Sequence, residues 1–267
     1  LPLDISQSQE FLSQTLEIGL LDTSFDSGIS FKGVHDLENI LLICSKGGIA
    51  IGEDLIKVAE TLRAARKLRK LIFDQLLRPR LSDLLIDMAT LPDLQKLLEF
   101  GLDEGGRIAD RASTKLSQLR SYRNSIRLQR KDILQDIIRK YSGLLQDNII
   151  SERYGRPVLA FKAGTTDQIK GMIHDSSSSG NTIYIEPQVV ISIGNRLAQI
   201  DSEILDEERR LLAAWSKEVG INCNVIDHLV DILLQIEFAL ARARYSKWIN
   251  GVPAILQEGD NTFFEIK

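Results

Sequence analysis

The chain has 267 residues, 43% of them hydrophobic, with only 6 prolines, 6% aromatic residues and a formal net charge of -4. That length and apolar content can bury one large core or two ordinary ones, which excludes a disordered tail, and the Leu-, Ile- and charge-rich composition suits long helices rather than a β-rich enzyme. No apolar run approaches the roughly 20 residues of a membrane span, and Cys44 and Cys223 form no CxxC or Cys/His cluster, so they read as two buried thiols rather than a disulfide or a zinc site. The first ten residues have no basic n-region or cleavage-like site, and the chain opens without Met, so both of its ends read as cut from something longer.

From Ser8 to Leu21 and again from Asp54 to Leu77, apolar residues recur at spacings of three and four, which predicts amphipathic helices with one face on a core. Gly28 and Gly33 punctuate the connection between them. The run from Gly47 to Glu53 reads as a helix C-terminus, a turn and the next helix start. Leu81 to Thr90 and Pro92 to Phe100 predict two more helices, the second with a proline in its first turn.

From Ser113 to Leu145 the spacing changes to threes, fours and sevens, a heptad seam of Ala112, Leu116, Leu119, Ile126, Ile133, Ile137 and Leu144. Arg123 and Arg130 fall at two of its inward positions. Ile193, Leu197, Ile200, Ile204, Leu211 and Trp215 repeat the rhythm, so the two segments read as arms of one antiparallel coiled coil, each roughly 40 to 50 Å long at ~1.5 Å per residue. Between the arms, Arg156 to Lys162 reads as a strand, Gly164 to Asp167 as a turn and Gln168 to His174 as a second strand. Ser176 to Asn181 follows as a loop, and Thr182 to Glu186 as a third strand ended by Pro187, which makes a small β cap on a helical stalk. A last helix is predicted from Val225 to Trp248, and Phe263 to Lys267 alternates like a strand.

Charge is distributed unevenly. Between Arg111 and Lys140 nine basic residues stand against two acidic ones, Asp132 and Asp136. Phosphate contact is one account of such an arm, because each Lys or Arg that neutralises a phosphate releases counterions. The returning arm carries Asp201, Glu203, Asp206, Glu207, Glu208 and Glu218, so pairing between the arms is an equally physical account. A second basic run, Arg63, Arg66, Lys67, Arg69 and Lys70, reads as a solvated helix face. In the cap, Arg153, Arg156, Lys162 and Lys170 are balanced by Glu152, Asp167, Asp175 and Glu186, so bulk attraction cannot hold a polyanion there. Specific donors would have to: the hydroxyls of Ser176, Ser177, Ser178 and Ser179, the amide of Asn181 and the N-H groups around Gly180, although a tight β connection uses the same residue types.

Nothing in the sequence supports catalysis. Gly47-Gly48 followed by Gly52 lacks the lysine a phosphate loop needs. His174-Asp175 beside serines lacks a strained nucleophile turn, and His35, His174 and His228 have no metal-ligand spacing.

The passage from Gly171 to Pro187 resembles a motif of the type-two MutS family, the Smr-associated branch, in which a Ser/Ser-Gly-x-Thr stretch precedes an aromatic residue and Glu-Pro; here these are Ser178-Ser179-Gly180-Asn181-Thr182, Tyr184 and Glu186-Pro187. Four flanking passages agree in order: Gln14 to Glu17, Gly47-Gly48, Asp110 to Arg120, and Ala241 to Tyr245. Two departures stand out: Gly194-Asn195, where the family usually has two asparagines, and irregular wording before Pro157.

The resemblance spans nearly the whole chain and implies a mostly α fold, a helical core domain with a long antiparallel coiled-coil lever capped by a small β-rich clamp. Residues 1–112 would be the first part of the core, 113–149 the outgoing lever helix, 150–190 the clamp, 191–218 the returning lever helix, 219–254 the second part of the core, and 255–267 the start of an ATPase domain. The implied function is a nucleic-acid-binding scaffold, not itself an enzyme, serving DNA recombination control or the rescue of collided ribosomes. Its implied partners are duplex or branched DNA or the ribosome, and a second copy joined through the ATPase domain. ATP and Mg would be bound by that domain, with a nuclease-like Smr domain at the C-terminus; this segment itself would hold no cofactor or metal. The candidate contacts are Arg123, Arg127 and Arg130 on the lever, with Arg153, Arg156, Lys162, Lys170, His174, Ser176 to Ser179 and Asn181 on the clamp. No membrane association is implied, and the expected location is the cytoplasm or a plastid. The alternative is a coiled-coil protein-interaction module with no nucleic-acid binding of its own.

Overall fold

The computed structural model describes residues 4–256, which hold eight α-helices and one four-stranded antiparallel sheet, so the chain is mostly α. Two compact units form, one from the residues before Asp110 and after Leu211, the other from Asp110 to Leu211. Among the described residues no helix is long and apolar enough to cross a membrane. The strand expected at 263–267, and all but the first two residues of the segment 255–267, lie outside the described residues.

The first unit contains α1 (Ile5–Thr23), α2 (Glu38–Ser45), α3 (Gly52–Ile72), α4 (Pro79–Ile86), α5 (Pro92–Gly101), α8 (Cys223–Trp248) and the end of α7 (Gln188–Ile221). Asp4 caps α1 by accepting the Gln7 N-H at 2.7 Å. α3 buries Leu55, Val58, Ala59, Leu62, Ala65, Leu68 and Ile72 along one face, the helical period read from the sequence. It stops five residues before the expected Leu77, because the Asp74 carboxylate accepts the N-H groups of Leu76 and Leu77 and turns the chain before Pro79 opens α4. α1 packs along α8, fastened by Arg244 donating to Asp22 at 2.8 Å and by Arg242 donating to Thr15. At Gly47, φ is +76°, and the Gly47 and Gly48 amides donate to the Cys44 and Ile43 carbonyls. These glycines therefore close α2 as a left-handed cap, and with their amides spent on α2 carbonyls they do not fit a phosphate loop. Gly101 lets the Trp215 ring approach so closely that an added Cβ would lie 2.3 Å from it.

The second unit runs α6 (Thr114–Lys140), β1 (Leu145–Arg153), β2 (Arg156–Lys162), β3 (Gly171–Ser176), β4 (Thr182–Pro187) and the larger part of α7. The sheet order is β1-β2-β4-β3. Leu159 pairs with Ile185 and Phe161 with Ile183, which puts these four on one face. That face joins Leu134 of α6, Leu145 and Val190 of α7 in one buried core.

The outgoing helix ends at Lys140 rather than 149, and 145–153 is a fourth strand that the sequence reading missed. Leu144 continues the heptad spacing, so the pattern ran through the break, while Gly143 and the β-branched pair Ile149-Ile150 favour leaving the helix. Tyr154 and Gly155, with φ of 50° and 74°, form a two-residue hairpin turn between the paired Arg153 and Arg156. That turn is the irregular wording before Pro157.

α6 and α7 run antiparallel, with Ser113, Arg120 and Arg123 reaching Glu207, Glu208 and Asp201. On α7 the expected seam is buried at Leu197, Ile200, Ile204 and Leu211. On α6 only Leu116 and Leu134 are buried, because its inward positions include Arg123, which extends to Asp201, and the half-buried Arg130.

Candidate nucleic-acid interface

The residues singled out for polyanion contact all fall in the second unit, and the structure divides them into three groups. On α6, Arg123 Nη1 lies 3.4 Å from Asp201, and its neighbour Arg120 bridges Asp110 and Glu208, the latter at 2.6 Å. Arg127 is exposed and Arg130 half-buried, and among the described residues neither they nor Lys131 has an ion pair. These three cations belong to about a turn of helix with no acid across from them to neutralise them. Nearer the end of α6, Arg139 is paired with Asp136, and Lys140 lies over the Tyr141 ring.

The second group is the polar face of the sheet. Tyr184 pairs with Asp175 across β3 and β4, and Arg153 stacks over the Tyr184 ring, 4.1 Å from its centroid, while Nε lies 3.2 Å from Asp175. Beside them Glu186, with 2% of its side chain exposed, lies 2.9 Å from His174 Nε2 and 3.6 Å from Arg156 Nη1. Arg156 also donates to Asn195 of α7 at 3.0 Å. A register shift between Ile173 and Asp175 surrounds His174 and aims it at Glu186. His174 and Arg156 are thus components of a buried polar cluster that ties the sheet to α7, rather than free contacts. Gly194 makes this possible: a Cβ there would lie 2.7 Å from Arg156 Nη1. The departure Gly194-Asn195 therefore has a local cause, room for one guanidinium and an acceptor for its other end.

The β3–β4 connection is the third group. Ser177 N-H donates to the Thr182 carbonyl, Gly180 N-H donates to Ser177, and the Ser177 hydroxyl accepts from Thr182 N-H at 3.0 Å. Ser176 N-H donates to the Asp175 carboxylate at 2.8 Å, and the Ser176 side chain is exposed. Ser178, Ser179 and Asn181 are exposed at the tip. Lys170 is exposed, and Lys162 donates to the Gly143 carbonyl at 3.0 Å. Ser177 is a builder of the turn, its hydroxyl 3.3 Å from that of Ser179, and the exposed side-chain donors are those of Ser176, Ser178, Ser179, Asn181 and Lys170.

Two contributors were absent from the candidate residues. Arg196 lies 5.5 Å from the Tyr122 ring centroid, an α7-to-α6 contact with no signal in heptad spacing. Glu207 is buried at 3% exposure in a heptad slot, accepting from Ser113 at 2.7 Å and from Arg210 at 2.7 Å. A charge standing in an apolar repeat was its signal.

In the first unit, a cleft of about 480 Å³ lies between α1, α8 and residues 251–256, with Phe11, Leu12, Leu16 and Val252 in its walls. Arg242 is its one charged lining residue among those described, and burial holds its guanidinium below the usual arginine range. With a single cation and no carboxylate or imidazole, the cleft offers neither a polyanion track nor an acid-base pair.

No family model matches the chain. Among curated proteins it is 36% identical over 252 residues to Endonuclease MutS2 of Synechocystis sp., covering 94% of this chain and 31% of that protein. It is 32% identical over 263 residues to Endonuclease MutS2 of Pelotomaculum thermopropionicum, covering 96% of this chain and 33% of the relative. Endonuclease MutS2 of Clostridium kluyveri is 29% identical over 245 residues. The chain spans about a third of the length of these relatives.

Proposed function

Because this chain belongs to the MutS2 family over nearly its whole length, we propose that it is a scaffold that grips nucleic acid, with α6 and α7 as a coiled-coil lever and the sheet as a clamp. The observation that carries the reading is the group Arg127, Arg130 and Lys131, basic side chains left without an ion pair on a helix whose neighbouring arginines are paired. Backbone phosphates would neutralise them, giving salt-dependent and sequence-independent binding. The exposed donors of Ser176, Ser178, Ser179, Asn181 and Lys170 would position the backbone rather than attract it.

In this reading the 267 residues grip and do not catalyse. Nucleotide hydrolysis with Mg, dimerisation and any nuclease chemistry belong to other parts of a protein about three times as long, as its relatives are. The scaffold serves recombination control on DNA or the splitting of collided ribosomes, in the cytoplasm or a plastid.

One observation favours the second reading, a protein-interaction module: Arg120 and Arg123 are occupied by acids of α7. Charge reversal separates the two. Arg127→Glu with Arg130→Glu lowers affinity for duplex or branched DNA at least about tenfold in fluorescence anisotropy at low salt, with an unchanged melting temperature. Unchanged affinity, or no binding by the unaltered chain, rejects the nucleic-acid reading.

A further inference from the structure

α3 carries a second basic surface in the other unit. Between Arg63 and Phe73 the chain has five basic and no acidic residues, although its formal net charge is -4. Arg63, Arg66, Lys67 and Lys70 follow the i, i+3, i+4, i+7 spacing of one helix face, and all four are exposed. Arg63 is fastened to Glu99 at 2.7 Å. Among the described residues Arg66, Lys67 and Lys70 have no ion pair.

Two ordinary accounts of such a face fall short. Cations in a last helical turn complement the macrodipole, which accounts for Arg69 and Lys70 but not for Arg66 and Lys67, which lie outside that turn. Pairing along the helix would need acids, and Glu60, the one on the adjoining turn, is already held 2.6 Å from His35 Nε2. Like charges three and four residues apart repel, so the stripe lowers the stability of α3 unless an anion lies on it.

We propose that this stripe is a contact surface for the phosphate backbone of duplex DNA, separate from the one on α6; the inference rests on the nucleic-acid reading above. From Arg63 to Lys70 the helix advances roughly 10 Å, the length over which one strand of a duplex presents about three phosphates. No aromatic residue lies between Arg63 and Lys70, and Phe73, exposed at the C-cap of α3, stands past the last cation, so rings do not alternate with the cations as in a single-strand track, and the stripe itself offers charge for a backbone.

The test is binding of the whole chain to a short labelled DNA duplex across a range of salt. Arg66→Gln, Lys67→Gln and Lys70→Gln together should weaken binding at low salt at least about tenfold and flatten the slope of log affinity against log salt by about 2 to 3. Arg127→Gln with Arg130→Gln should flatten it by about 2 on its own account. If the α3 variant keeps the full slope while the α6 variant loses its share, the α3 surface is rejected and the α6 reading stands; if the unaltered chain binds no duplex, both fall. Should circular dichroism show the α3 variant unfolded, amine labelling of the unaltered chain decides. Protection of Lys67 and Lys70 by the duplex supports the surface, and unchanged reactivity rejects it.

Discussion

Glu207 stands three residues after Ile204 and four before Leu211, where the repeat calls for an apolar side chain. A hydrogen bond from Arg210 holds its carboxyl down to about 2, with Ser113 and Lys115 adding to the effect against the opposing pull of burial. Ser113 also caps α6 by accepting the Leu116 N-H, so one carboxylate fastens the start of one helix to the middle of its partner. The lowered value makes the contribution complete above the ordinary carboxylate value of 4.5, and it is lost as pH falls from there toward 2. Glu207→Gln should therefore lower the urea midpoint at neutral pH, a cost of about 1–3 kcal/mol, and flatten the loss of stability below pH 4.5. An acid-unfolding curve of unchanged shape would show that the carboxylate is not what holds the two helices.

At the scale of elements, α7 approaches the sheet through a position without a side chain. Gly194→Ala would push Arg156 Nη1 away from Glu186, leaving a buried carboxylate with His174 alone. The expected net loss is about 1 kcal/mol, read in thermal melting, since the flexible guanidinium can shift and the helix gains from alanine, and Arg156→Ala made on top of it should add little. Additive losses would mean that the two residues act separately. Most elements were legible in the sequence because a single face of each is buried: α1, α5 and α8 lie within a few residues of their expected spans, and β2 runs from Arg156 to Lys162 as expected. β1 was not, because Leu144 keeps heptad time past the helix end, and because the hairpin turn uses Tyr154-Gly155 rather than the Asn-Gly that advertises such turns. The site was legible only as residue types. Which arginines find acids depends on the register between α6 and α7, and spacing along one helix does not fix that.

Across the whole molecule, the second unit is one continuous stretch, and the first is assembled from the segments on either side of it. With its own apolar core and both ends on paired helices, Asp110 to Leu211 expressed alone should fold, giving a cooperative thermal transition and mixed helix and sheet by circular dichroism. A featureless melt would mean that the stretch depends on the remainder of the chain. The first unit has no such independence. α1 lies against α4 and α8, and α8 begins about two hundred residues after α1 ends. At roughly 5–20 residues per second of translation, α1 waits some 10–40 s for that partner, its α8 side at Thr15, Gly19 and Asp22 uncovered, while the inserted stretch emerges and can fold ahead of it. Among the helices described, the first to be made is among the last to be covered, so a holdase chaperone on a ribosome paused midway through this message should be found on α1.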